Sequence, residues 1–507
     1  MKFKTRIIST AVAAAVGTFA GTAQAVNLGN DGMGQVLIYP YYTVQQKGTT
    51  AFDTYVSIVN SDSVNGKAVK VRFLEGKNSV EVLDFNLYLS PNDVWTGTIT
   101  RDASGNGVLQ TTDNSCTVPE ILTTAGASST TPGVLRQQPF TNVAYASDAV
   151  KDATMGRARE GYVEIIQMAD ITPTGVTTPA GLGTPVLNTF NASKHNSAGV
   201  PPNCAAIRAA WAPADPAPND YNTPANDGVS APTGGLSGAG TIINPLEGTD
   251  YSYDAVAIDR FSATPLHFAP GSIQPQLADV NPKNSAVFSG TDVVITSWAG
   301  AVPGVLPVSA VLMRNSVVNV YSVGAAGTAV ATDWAVTFPT KNKHIAETVL
   351  ANKAPFTTTL GTTGACEVAS VTAYNREEQV QTSPLGFSPP TPGGVFSLCW
   401  EANVVSMVSG STSSNVFGSL SGVRSTLNVP YAEGWLNMGF AQSRTAPAGA
   451  SIRLNIETGA ITAGITPTYT GLPVVGFAGI SLVNTGTLPN TNYGGVYSHS
   501  YLRNIAP

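Results

Sequence analysis

Ala68-Val69-Lys70-Val71-Arg72-Phe73 sits inside a longer stretch, Gln35 to Thr98, whose reading decides the fold. Val69, Val71 and Phe73 fall on one side and Lys70 and Arg72 on the other, the period of two that a half-buried strand shows. The alternation predicts an outer, charged face at Lys70 and Arg72. Before it, Gln35-Val36-Leu37-Ile38-Tyr39-Pro40-Tyr41-Tyr42 reads as an apolar, aromatic strand. Pro40 has no N–H for a ladder, which predicts an edge strand or a strand end there. After it, Val80 and Val82 share one parity, whereas Leu83, Phe85, Leu87 and Leu89 take the other. A strand changes parity only by inserting a residue, so a β-bulge is expected near Val82 or Leu83.

Further strand patterns follow. Thr241–Pro245 and Tyr251–Ile258 read as a hairpin, and Val305–Met313 and Ser316–Val323 as apolar strands. Trp334, Val336 and Phe338 share a face, as do Ile452, Leu454 and Ile456. With 50 glycines and 34 prolines, turns are frequent and a helical protein is disfavoured. The fold class expected is mainly β: two antiparallel, immunoglobulin-like β-sandwich domains, residues 26–345 and 346–507. A Pro/Ala/Gly-rich insertion, residues 171–240, interrupts the first. Inside it, Asn203 to Trp211 reads as a short helix with Asn203 as N-cap. No repeat of fixed period is present, which disfavours propellers and solenoids.

The first 25 residues read as an export signal. Lys2, Lys4 and Arg6 precede an apolar run from Ile7 to about Ala20, and Ala23-Gln24-Ala25 fits a small-x-small cleavage site. The mature chain is expected to start at Val26, with no later run long enough to span a bilayer as a helix. Loss of three basic residues lowers the net charge from −6 to −9, which argues against nucleic acid as a partner. Only 11% of residues are charged, against about 25% in ordinary soluble domains. A surface of neutral polar groups favours self-association. A closed outer-membrane barrel is disfavoured by the irregular strands and long Pro-rich loops.

Four cysteines, Cys116, Cys204, Cys366 and Cys399, suggest two disulfides in an exported chain. Of the three pairings, Cys116–Cys204 and Cys366–Cys399 join near neighbours, the first tying the insertion to the β-core. No C-x-x-C or close His pair points to zinc.

Catalytic motifs are lacking. His195, His267, His344 and His499 are far apart, and no G-x-S-x-G, Walker loop or H-E-x-x-H occurs. Asp102, Ser104 and Asn106, with Gly107 and Asp113, occupy positions one, three, five, six and twelve of a calcium-type loop. Ser104 and Asp113 depart from that pattern, and a tight turn explains the same residues. Calcium is therefore the single cofactor candidate. Tyr39, Tyr41, Tyr42, Trp95, Trp211 and Trp435 have the chemistry to stack on sugar rings, although aromatics in strands more often fill cores.

The runs Gly34–Tyr42, Asp333–Lys341 and Leu472–Phe477 resemble exported proteobacterial proteins labelled hypothetical or cell-surface protein. The resemblance spans most of the mature chain. It implies export and an envelope or surface setting, and it supplies no site residues. The function expected is a non-catalytic cell-surface or extracellular protein, structural or adhesive, with the periplasm as the other location. One alternative is a filament or matrix subunit built by strand exchange, in which Gln35, Leu37, Tyr39 and Tyr41 pair with another copy. The other is a secreted polysaccharide-binding or polysaccharide-hydrolysing protein.

Overall fold

The computed structural model describes residues 24–173, 188–211, 221, 229–300, 303–324, 329–346, 353–382, 387–388, 396–410, 412–419, 423–484 and 491–506. Residues 1–23 of the expected export signal, 1–25, and much of the 171–240 insertion lie outside them. Among the described residues strands make up 49% and helices 8%, in several mainly antiparallel sheets of which none closes. Among the described residues one strand pair runs parallel, Ala402–Ser409 with Arg424–Asn428, beside two isolated parallel bridges, Val26–Ser285 and Ser262–Asn281.

Sheet I holds four long strands, β1 (Val36–Thr43), β2 (Gly66–Glu75), β3 (Glu81–Leu89) and β4 (Glu160–Ile171). Its order is Asn27–Leu28, Val256–Asp259, β1, β4, β2, β3, Cys116–Val118. Sheet II is centred on Val94–Arg101, Asp53–Asn60 and Leu236–Asn244. The inward side chains of both sheets share one core, with Leu37, Tyr39, Val69, Val71, Phe73 and Phe85 meeting Val56, Ile58, Trp95 and Ile99. The other face of sheet I is covered as well. Val36, Ile38, Tyr162 and Ile166 pack on the helix Leu306–Leu312, and Tyr88, Met168 and Ile171 pack on the insertion.

Sheet IV contains β5 (Ala329–Thr337), β6 (Ala402–Ser409) and β7 (Val475–Asn484). It too is buried on both faces. Trp334, Val336, Val405 and Ala478 point into a second core against sheet III, centred on Glu367–Tyr374, Glu433–Gly439 and Ser316–Ser322, which carries Val317, Val371, Leu436 and Met438. Their neighbours Ala335, Val404 and Phe477 point the other way, into the core of sheets I and II. Alternation therefore sorts apolar side chains between two cores, not between core and water.

Several expectations need correction. Pro40 lies in an interior strand, since β1 is flanked by β4 and Val256–Asp259. The structure accommodates it with a bulge: Tyr42 pairs with Gly161 and Tyr39 with Val163, so Pro40 and Tyr41 together oppose Tyr162. On the far side, pairing with Val256–Ile258 stops at Ile38. No ladder bond is asked of Pro40.

Lys70 and Arg72 do not face solvent. Both are buried beneath covering chain. Val305–Met313 is a buried helix rather than a strand, with Pro307 in its first turn; a short run apolar on every side carries no period to tell the two apart. The boundary between 345 and 346 cuts through sheets, because Ser316–Ser322 pairs with Glu433–Gly439 and β5 pairs with β6 and β7. Ile456 lies just past the strand Ser451–Asn455 and is exposed, unlike Ile452 and Leu454.

The bulge near Val82 is present. Phe73 pairs with Leu83 and Leu74 with Glu81, which leaves Val82 as the extra residue. Trp334, Val336 and Phe338 share the second core.

Candidate functional sites

Several side chains fasten the insertion to the β-core. Cys204, in the helix Cys204–Ala209, is bonded to Cys116, and Cys366 is bonded to Cys399. Asn203 caps that helix, its Oδ1 accepting from the Ala206 N–H at 3.1 Å. Arg208 pairs with Glu120 at 3.1 Å. Trp211 donates from Nε1 to the Tyr88 hydroxyl at 2.9 Å and packs with Tyr221 and His267 in an aromatic cluster.

His195 supplies a further anchor. Its Nδ1 lies 2.8 Å from Ser90 Oγ and 3.4 Å from Asp93 Oδ2. A Ser-His-Asp relay needs serine and acid on opposite ring nitrogens. Here both meet the same nitrogen, so the group ties the insertion to the Ser90–Asp93 turn and relays nothing. The pair Ser309–His344, 2.9 Å apart, is wholly buried. Its near charged neighbour is the Arg444 cation rather than a carboxylate.

The calcium-type loop closes on itself. Asp102 Oδ1 accepts from the N–H groups of Ser104 and Asn106, each at 2.8 Å. Gly105 takes the left-handed conformation that completes the turn. Asp113 sits beyond the far end of the strand Gly107–Thr111, where its Oδ1 accepts from the Ser115 N–H. Asp102, Ser104, Asn106 and Asp113 are therefore not gathered around one point. No cluster of three or more metal-ligating His, Cys, Asp or Glu side chains occurs among the described residues.

The residues expected to self-associate are all interior. Gln35, Leu37, Tyr39 and Tyr41 are buried. Gln35 bonds to Pro232 and Ser262. The Tyr39 hydroxyl donates to the Ser57 carbonyl at 2.6 Å, and that of Tyr41 to Glu160 Oε2 at 2.7 Å. Strand exchange through β1 would require the centre of sheet I to come apart.

Two surface grooves stand out. The first, about 480 Å³, runs along β3. The Val82 bulge creates it in part. Residues paired directly across a ladder share a face, so pairing Glu81 with Leu74 and Asp84 with Arg72 puts both carboxylates on one side. Without the extra residue they would point apart. Glu81 accepts from Arg72 Nε at 2.5 Å, and Asp84 pairs with the buried Lys70. Arg72 also reaches Glu164 at 2.6 Å. Burial, with a smaller push from Glu81, raises the Glu164 carboxyl above its ordinary range, and Arg72 and Lys343 oppose this. Glu120 lines the same groove, whose remaining wall is mostly apolar, with Leu83, Phe85, Ile121 and Ile273 beside Gln138 and Thr141. All three carboxylates are held by cations.

The second groove, about 520 Å³, borders the outer face of sheet III. Trp435 forms one wall, with Val320, Ile480 and Leu482 around it. Tyr374 stacks on the indole with ring centres 4.0 Å apart, and the ion pair Arg376–Glu433 closes one end. Trp435 is the one predicted aromatic left substantially exposed, at 37%; Tyr39, Tyr41, Tyr42, Trp95 and Trp211 are core. Its exposure followed from nothing local, since Trp435 alternates with Leu436 as any strand residue does. The buried charges were missed for the same reason.

No family model, curated protein or solved structure matches this chain. No described helix is long and apolar enough to cross a membrane.

Proposed function

We propose that the chain is an exported, non-catalytic protein of the cell surface or extracellular medium, with a structural or adhesive role, built from sandwich-like sheet pairs. The observation that carries this reading is the outer face around Trp435. Val320 and Trp435, paired across sheet III, are 45% and 37% exposed there, beside Leu482 of sheet IV at 45%, in a chain poor in charge. Exposed apolar groups grouped on one rigid face mark contact surfaces. Two disulfides suit an oxidising compartment. Many of the few charged side chains are also spent internally, among them Lys67, Lys70, Arg72, Glu75, Arg157 and Glu164. The remaining surface repels other surfaces weakly.

The test is cell fractionation with electron microscopy of the labelled protein, alongside adhesion of cells carrying Trp435→Ala. Surface label with reduced adhesion supports the reading. A cytoplasmic location, or adhesion unchanged by the substitution, overturns it. A second reading, polysaccharide binding or hydrolysis, is favoured by one observation: Glu81, Asp84 and Glu120 line one groove. Screening purified protein against soluble and insoluble glycans, with Glu81→Gln as control, tests it.

A further inference from the structure

The turn Glu75–Val80 of sheet I docks on the end of sheet IV. The Ala402 N–H donates to the Gly76 carbonyl at 2.8 Å. Asn342 donates from Nδ2 to the carbonyls of Asn78 and Ser79 at 3.3 and 3.4 Å. Lys77 lies over the Trp400 ring at 5.3 Å, and the Tyr162 hydroxyl bonds to Ser79 and approaches the Pro339 carbonyl. Beneath this junction two ionisable side chains are completely buried, Lys341 and Glu401.

Glu401 Oε2 accepts from the Asn342 N–H at 3.1 Å, while Oε1 has no hydrogen-bond partner among the described residues. Lys341 donates to the Trp400 carbonyl at 3.2 Å and lies over Phe338 and Phe356. One carboxylate oxygen in a dry site without a donor is costly when charged and cheap when protonated. We propose that Glu401 and Lys341 form a pH-dependent latch between the Glu75–Val80 turn and sheet IV, closed in mildly acidic medium and loosened as the medium turns mildly alkaline.

The groups facing Glu401 fit that role. Lys341 attracts its negative charge, Glu75 from the docked turn repels it, Tyr162 faces it from β4, the Asn342 N–H donates to Oε2, and Ser79 lies nearby without a hydrogen bond to Oε1. Glu367 faces Lys341 from its own strand. Burial dominates, pushing the Glu401 carboxyl up to about 8 and the Lys341 ammonium down to about 8. The Glu401 proton stabilises the folded state fully below about 4.5, and that contribution is lost as pH rises through about 8. Lys341 acts oppositely, above that window: its contribution is present above about 10.5 and lost as pH falls through about 8. The junction is thus weakest near the pH where both exchange protons.

The experiment is amide hydrogen exchange on the full chain at about pH 5.5 and about pH 8, corrected for intrinsic rates, with wild type and Glu401→Gln. In wild type the amides of Asn342 and Ala402 should lose about tenfold or more in protection at the higher pH. Glutamine cannot ionise, so the variant should keep its protection. Equal loss in both proteins overturns the latch. If Glu401→Gln does not fold, Lys341→Met serves, because removing the ammonium moves the wild-type loss to higher pH. A loss at unchanged pH overturns the proposal equally.

Discussion

Phe417→Ala tests whether the sheets form one cooperative body. Phe417 belongs by sequence to the C-terminal part of the chain, yet its ring lies in the core of sheets I and II. It is fully buried, with ring centres 5.6 Å from Tyr41, 5.8 Å from Tyr251 and 5.7 Å from Phe477. Gly479 is flat against it, since a Cβ there would come within 2.4 Å of the ring. Truncation removes the ring and leaves a void walled by rigid aromatics and backbone, which collapses poorly. The expected cost is about 3–5 kcal/mol. Three of the aromatic neighbours come from both sides of residue 345, so the loss should shift the unfolding of the whole chain. Urea titration with disulfides intact, followed by tryptophan fluorescence, is the assay. Trp95 reports the first core and Trp334 the second. A loss below about 1 kcal/mol would refute the packing argument. Two separable transitions, of which one alone moves, would refute the shared core.

Four further outcomes are expected. Tyr41→Phe removes the hydroxyl that donates to buried Glu160 and should cost about 1–3 kcal/mol in the same titration. Cys204→Ser opens a link spanning 88 residues, with a cost of roughly 3–5 kcal/mol on the chain-entropy model; limited proteolysis should then cut within 171–240 before the sheets. Burial beside the Arg444 cation pulls the His344 imidazole down to about 3. Its stabilising contribution is present above about 6.5 and lost as pH falls toward that value, so the acid limb of a stability–pH curve should flatten in His344→Gln. Asp102→Asn should leave any calcium dependence of the melting temperature unchanged, because that carboxylate is spent on the amides of its own turn.

The β-character was legible because side-chain alternation survives in any sheet, and the parity change at Val82 located its bulge from sequence alone. What alternation does not carry is the identity of the medium on each side. Lys70 and Arg72 obey the same period whether water or Glu81, Asp84 and Glu164 wait beyond them. The run Val36–Tyr42 did hold a clue to two-sided burial, since both parities are apolar. Reading Pro40 as an edge marker overrode it. A bulge supplies the other way to seat a proline, and it depends on Tyr162, 122 positions away in the chain numbering. The groove on β3 is likewise half legible: the bulge was readable, but which cations meet its carboxylates is set by strands far off in sequence.

The interior placement of β1 also bears on how the chain reaches its folded state. This strand lies near the start of the described residues, yet much of what surrounds it comes far later: β4, then Val256–Asp259, then Thr337, whose hydroxyl donates to the Pro40 carbonyl at 2.6 Å across 297 positions. Phe417 and Phe477 come later still. On the export route proposed above, a segment threaded outward first lacks these partners until most of the polypeptide has followed. The delay would leave an aromatic strand uncovered meanwhile, a period in which an escorting chaperone would decide between productive assembly and aggregation.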